Sequence, residues 1–203
     1  MKIFCIGRNY AAHAAELGNN VPTSPMVFMK PPTALLIKNR PFYYPDFSND
    51  IHYEVEVVLR IGKNGKHIEP KFAQTYIDGV GLGIDFTARD IQQRCKEKGH
   101  PWEIAKGFDS SAVISDFLPV TDFNDLENIE FSLDLNGNVV QEGNTANMIF
   151  GYAELLAYIS KYFKLQVGDY VYTGTPKGVG PVVVGDILEG SLEGRSALKC
   201  EIR

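Results

Sequence analysis

The sequence predicts a mixed α/β chain that is mostly β, with a few short helices. Short apolar runs rich in Val, Ile and Phe recur along it, set between turns that draw on 19 glycines and 11 prolines. Only three stretches carry helical signals. The strands do not alternate regularly with those helices, which argues against a doubly wound sheet or a (β/α)8 barrel. A length of 203 residues suits one catalytic domain spanning 1–203.

Composition excludes several function classes. The net charge of −5 argues against nucleic acid and anionic membranes as partners. Cys5, Cys95 and Cys200 are widely spaced, with neither zinc-site spacing nor a disulfide framework, so a reducing, cytoplasmic setting is expected. The opening apolar run is too brief for a signal peptide, and no run approaches transmembrane length.

Taken in order, Ile3–Ile6 reads as a strand. A helix follows, with Asn9 as N-cap, alanines within it and Gly18 as its stop. On that helix His13 and Glu16 stand at i and i+3, within reach of each other. A carboxylate bonded to one imidazole nitrogen fixes the tautomer and raises the basicity of the other, which suits activation of a water. The competing reading is a surface pair. Val21–Pro32 is proline-rich loop with a short strand near Met26–Met29, and Leu35–Ile37 is another short strand.

The run from Ile51 to Ile61 is the most informative. Read as one strand, it puts Tyr53, Val55, Val57 and Leu59 on one face, and Glu54 and Glu56 together on the other. Two adjacent carboxylates repel each other and are costly to desolvate. A cation between them offsets both costs. With no thiolate nearby, a hard divalent ion such as Mg²⁺ or Mn²⁺ suits them. The competing reading is a surface strand with its charged face in water.

Residues 71–77 read as a single helical turn. In Asp78–Phe86, Val80, Leu82 and Ile84 alternate with Gly79, Gly81 and Gly83, leaving one strand face bare. Glycines in a strand interior often mark close approach of a ligand or another backbone. Asp85 ends that bare face as a candidate third ligand for the same ion. Thr87-Ala88-Arg89-Asp90 opens a helix with a capping-box-like start, and Gly99 stops it. Arg89, Gln92, Gln93 and Lys96 share one face of it, with Arg89 and Gln92 near a ligand held at Asp85. Lys106, drawn towards three carboxylates, stays protonated.

Residues 129–141 read as a hairpin turning at Asn136-Gly137, and 147–163 as the last main helix. Val167-Gly168-Asp169 feeds a strand. Thr173–Pro181 is a glycine-rich loop whose backbone N–H groups and Thr175 hydroxyl are free for an anion, and two or three short strands complete the chain.

The ordered set is G-R-N-Y-x-x-H-x-x-E at 7–16, E-V-E at 54–56, G-I-D at 83–85, T-A-R-D-x-Q at 87–92, P-W-x-x-A-K-x-F-D at 101–109 and T-G-T-P-x-G-V-G at 173–180. In this set the chain resembles the fumarylacetoacetate hydrolase family over nearly its whole length, and most of all the short members that act as acylpyruvate hydrolases and oxaloacetate decarboxylases. The resemblance implies the family's mixed β-roll, a homodimer, and a small 2-oxo acid substrate. It implies that Glu54, Glu56 and Asp85 bind Mg²⁺ or Mn²⁺. His13 and Glu16 match the catalytic dyad, on a segment that closes as a lid over ligand. Lys106 matches the active-site lysine, and Arg89, Gln92 and Thr175 match substrate contacts. Where full-length fumarylacetoacetate hydrolases carry a further metal-site aspartate before the dyad, this chain has Ile6-Gly7-Arg8.

The implied reaction is cleavage of a 2,4-dioxo acid to pyruvate and a carboxylic acid, with oxaloacetate decarboxylation through the same enolate. One rival is an isomerase or decarboxylase of homoprotocatechuate-pathway dienoates. A rival of another class is a non-catalytic, metal-stabilised binding domain, for which His13 would be dispensable.

Overall fold

The structure, a computed structural model, describes residues 1–16, 18 and 20–203. Leu17 and Asn19, in and after the expected last turn of the first helix, lie outside the described residues. The first part of the chain gives β1 (Ile3–Gly7), α1 (Ala11–Glu16), β2 (Met26–Lys30), β3 (Leu35–Ile37), β4 (Ile51–Tyr53), β5 (Val55–Ile61) and β6 (Ile77–Asp85). Then come β7 (Thr87–Ala88), α2 (Arg89–Lys98), α3 (Glu103–Lys106), β8 (Ala112–Ile114) and β9 (Leu118–Pro119). The last part holds β10 (Glu130–Leu135), β11 (Asn138–Asn144), α4 (Tyr152–Tyr162), β12 (Tyr170–Tyr172), β13 (Gly180–Pro181), β14 (Ile187–Leu192) and β15 (Arg195–Glu201).

The fold is mostly β with few short helices, as expected. The largest sheet runs β2-β1-β12-β5-β6-β8-β3, with β9 added against β6. A second sheet is β11-β10-β14-β15, and β13-β4-β7 form a third. One face of β5 and β6 packs Val57, Leu59, Leu82 and Ile84 into the main core with Phe131 and Leu133 of β10 and Leu198 of β15. The opposite face packs Val58 against Ile3, Cys5, Ala112 and Tyr172. The central strands are thus buried on both faces, and the reading of a strand with a wetted charged face is overturned.

Several local expectations change for identifiable reasons. Residues 51–61 are not one strand. The pairing breaks at Glu54, where β4 leaves to pair with β7 and β13 while β5 stays in the large sheet. The Val55 N–H freed by this break donates to the Gln141 side chain (2.9 Å). Asn9 is not an N-cap. Its carboxamide is fully buried and spent on the backbone, donating to Phe150 O (3.0 Å) and Thr173 O (2.8 Å) and accepting from Phe150 N (2.9 Å). This tie holds residues 148–150 outside the last helix, so α4 starts at Tyr152 and not near 147. Thr87 does not cap α2 either. It lies in β7, and its hydroxyl is engaged at the candidate site. The Asn136-Gly137 turn has φ of +53° and +79°, as a type I′ turn requires, and Gly99 ends α2 at φ +66°.

The bare glycine face of β6 admits side chains and no ligand. A Cβ at Gly83 would lie 2.6 Å from Tyr172 Cε1 and 2.8 Å from the Val113 carbonyl oxygen, while Gly81 faces Phe117 and Ser115. Gly83→Ala therefore overpacks a site bounded by backbone, at about 1–3 kcal/mol or more. Its melting temperature should drop by roughly 2–4 °C per kcal/mol for a chain of this size. A calorimetric scan showing an unshifted transition would contradict this account.

Candidate active site

The sheet junction places the three acids together. Asp85 ends β6, and its N–H donates to the Glu54 carbonyl (2.8 Å), so the two side chains share one face with Glu56. All three are buried, and one carboxylate oxygen from each lies within 4.8 Å of the others. The expected triad is thus assembled.

Three cations surround it. Lys106, from α3, is 3% exposed and donates to Glu54 Oε2 (2.8 Å), Asp85 Oδ2 (2.8 Å) and Thr87 Oγ1 (2.6 Å). Arg89 Nη2 donates to Glu54 Oε1 (2.6 Å) and its Nη1 to Gln92 Oε1 (2.7 Å). Lys30, at the end of β2, lies beneath the site at 1% exposure, with Nζ 2.7 Å from Asp85 Oδ1. Its three protons are shared among the Phe86, Lys106 and Ser111 carbonyls and the Ser111 hydroxyl. Asp85 Oδ1 therefore receives charge from Lys30 but no hydrogen bond.

Protonation follows from these contacts. Burial pushes the Glu54 carboxyl up, but Lys106, Arg89 and His13 pull it well below the usual carboxylate range. Burial, then the charges of Asp85 and Glu54, push Glu56 well above that range, opposed by one hydrogen bond from Gly174 N (2.7 Å). Burial depresses Lys106, yet Asp85 and Glu54 raise it further, so it stays protonated as expected. A hard divalent ion fits this donor set. It would relieve the repulsion that raises Glu56 and would give the orphaned Asp85 oxygen a partner.

Of the dyad, His13 faces the same cavity. His13, on α1, is buried, and its Nδ1 lies 3.3 Å from Glu16 Oε2. Its basicity departs from expectation: burial lowers the imidazole and outweighs the raising effects of Glu54 and Glu16. Glu16 also accepts from Gly178 N (3.0 Å to Oε1), which ties α1 to the glycine-rich loop. Two of the N–H groups expected to be free in that loop for an anion are engaged by carboxylates of the chain itself, Gly174 with Glu56 and Gly178 with Glu16. Thr175 Oγ1 accepts from Gln141 Nε2 (2.9 Å) and lines the cavity with Arg89, Gln92 and His13. Gln93 points away, donating to Glu97. The cavity, partly open to solvent, is about 30 Å³, room for one or two waters.

Every residue singled out from sequence for the site therefore lies in or directly behind one cavity. Three supporting residues escaped notice. Thr87 carried a capping signal and nothing more. Gln141 sat in a hairpin strand, and Lys30 in a proline-rich loop. A buried lysine beside an aspartate is invisible until the fold brings β2 under β6.

Comparison with known proteins agrees with this geometry. Residues 2–203 match the family model described as fumarylacetoacetate (FAA) hydrolase C-terminal. The chain is 43% identical over 194 residues to a Dictyostelium discoideum protein named as a mitochondrial oxaloacetate decarboxylase, covering 95% of this chain and 89% of that one. It is 42% identical over 196 residues to the Escherichia coli oxaloacetate tautomerase YcgM, covering 96% and 90%. Among solved structures, the Pseudomonas aeruginosa fumarylpyruvate hydrolase in complex with Mn²⁺ and pyruvate superposes with a TM-score of 0.95 at 37% identity, covering all of this chain and 89% of that one. Among the described residues, no helix is long and apolar enough to cross a membrane. The chain belongs to the fumarylacetoacetate hydrolase family.

Proposed function

We propose that this protein is a divalent-metal-dependent enzyme of small 2-oxo acids, with oxaloacetate as substrate, working by stabilising an enolate. One observation carries the reading: the charge balance of the buried site. Glu54, Glu56 and Asp85 are matched by Lys30, Lys106 and Arg89, so the two charges of a divalent ion remain for a dianionic ligand. The enolate of a 2-oxo acid, one carboxylate and one enolate oxygen, has that charge. The relatives named for oxaloacetate and the solved neighbour holding Mn²⁺ and pyruvate support the same chemistry.

Mg²⁺ or Mn²⁺ held by the three carboxylates would supply a Lewis acid that stabilises the enolate oxygen. The chain's own residues do the rest. Lys106, fixed by Thr87 and two carboxylates, puts a permanent positive charge beside the developing oxyanion. Arg89 and Gln92 orient the substrate carboxylate, with Thr175 opposite them. His13 is neutral near pH 7, because burial lowers it, so it can accept a proton. Glu16 holds the His13 ring through Nδ1. The cavity as it stands is too small for a 2-oxo acid, so its lining must move to admit one, and the α1 segment that carries His13 would then close over the ligand to exclude water.

A second reading, acylpyruvate hydrolysis, is favoured by the His13–Glu16 dyad. Hydrolysis needs an attacking water and hence a base, whereas decarboxylation needs chiefly an electron sink. The deciding assay takes purified protein with oxaloacetate, acetylpyruvate and fumarylpyruvate, in Mg²⁺ or Mn²⁺ and in EDTA. Conversion of oxaloacetate is expected with either ion and none in EDTA; EDTA-insensitive turnover would refute the metal reading. His13→Ala should cut any acetylpyruvate hydrolysis by roughly 10²–10⁴-fold and oxaloacetate decarboxylation by less. Equal losses in the two reactions would show that His13 is not simply the hydrolytic base.

The pH profile gives an independent check. A base must be deprotonated to work, and the His13 imidazole titrates below the ordinary value of about 6.5. Hydrolysis should therefore hold its rate as pH falls to that value and decline only beneath it. An acid limb of kcat/KM centred above 6.5 would argue against this role for His13.

A further inference from the structure

Beyond the charge-balanced centre, the same cavity carries two more cations, Arg8 and Lys96. Among the described residues, no carboxylate lies within ion-pair distance of either. Lys96 follows Gln92 by four residues and Arg89 by seven, so the three form one stripe on α2 that leads outward from Glu54. Its ammonium sits 5.9 Å from the Trp102 ring centroid, half-buried against the cavity wall. Burial, then Arg89 and Arg8, hold the Lys96 ammonium below its ordinary value, outweighing the opposing charge of Glu54. Arg8 has φ +59°, a left-handed backbone that is unfavourable for a non-glycine residue. The three hydrogen bonds of Asn9 keep it there. Strain retained beside a cavity is the pattern of a residue held for what its side chain reaches.

We propose that Arg8 and Lys96 form a subsite for a second carboxylate at the far end of the substrate, so that the site selects 2-oxo diacids over 2-oxo acids with an uncharged end. The inference rests on the reading of this cavity as a 2-oxo acid site and specifies its substrate class. The net charge of the chain is −5, so this local positive mouth also draws dianions towards a protein that would otherwise repel them. The subsite bears on reaction choice as well. In decarboxylation the C3–C4 bond breaks, its electron pair passes to the enolate, and the distal carboxylate leaves as neutral CO₂. Cations that hold that carboxylate in the ground state lose their partner in the transition state and so slow this step. Tautomerisation moves a proton between C3 and the C2 oxygen and leaves the distal charge intact.

The test uses full-length protein with Mg²⁺ and three variants: Lys96→Gln, Arg8→Gln and Lys96→Arg. In turnover, Lys96→Gln and Arg8→Gln should lose kcat/KM for oxaloacetate tautomerisation, in which the distal charge persists through the transition state, at least about 10-fold more than for acetylpyruvate hydrolysis, a difference of about 1.4 kcal/mol. Lys96→Arg should restore most of the difference. Equal losses on the two substrates would overturn the subsite. Calorimetric binding of 2-oxoglutarate against 2-oxopentanoate, which differ only at the distal end, separates this inference from the function beneath it. A preference for the diacid that collapses in Lys96→Gln supports the subsite even if the protein turns over neither oxaloacetate nor acetylpyruvate. No preference in the wild type refutes it even if oxaloacetate is a substrate.

Discussion

The structure depends on holding three carboxylates together away from water. Unit charges 4 Å apart interact by roughly 4 kcal/mol at an effective dielectric near 20, and each burial adds its own desolvation cost. Glu54, Glu56 and Asp85 lie about that close. Such a cluster survives only if cations are fixed beside it, and the fold fixes three. Lys106 bridges two of the acids, Arg89 clamps Glu54, and Lys30 is buried beneath Asp85 as an ion pair, with its protons on backbone carbonyls and the Ser111 hydroxyl. Glu56 alone has no such partner and is the acid pushed furthest towards its neutral form. It marks the side on which the site is incomplete.

The scaffold around this centre is shaped by the same demand. Glu54 sits where β4 and β5 part into different sheets, so its carboxylate faces Lys106 and Arg89 and does not lie along a flat strand. Gly83 lets Tyr172 pack against β6 directly behind the acids. The glycine-rich loop turns one N–H to Glu56 and another to Glu16, so a single segment touches both the acidic centre and the dyad. Gln141 fastens that loop to the second sheet through Thr175 and Pro176. Acid cluster, dyad and loop therefore form one connected unit.

That unity explains how one family can contain proteins named for decarboxylation, tautomerisation and C–C hydrolysis. On the proposed reading, each reaction passes negative charge to the oxygen of a 2-oxo acid, and the buried cations would serve that oxygen in every case. What differs is the group at the distal end and whether a base meets a water there. On the function proposed for this chain, those choices would fall to His13, Glu16 and the residues lining the outer cavity, and not to the central acids.

Much of the site was legible in the amino-acid order because its chemistry is local. E-V-E puts two acids on one strand face, glycine alternation leads to Asp85, and the i, i+3 spacing joins His13 to Glu16. Asn136-Gly137 and Gly99 likewise determine their turns from their own backbone preferences. Other residues carry no such local mark. Asn9 offers a helix-capping signal but binds the backbone of Phe150 and Thr173, and Thr87 offers the same signal but serves Lys106. Short-range patterns set which face of an element a side chain occupies. Only the tertiary structure decides which distant group waits there, because a buried polar atom takes the partner that the fold brings to it, as Lys30 takes Asp85.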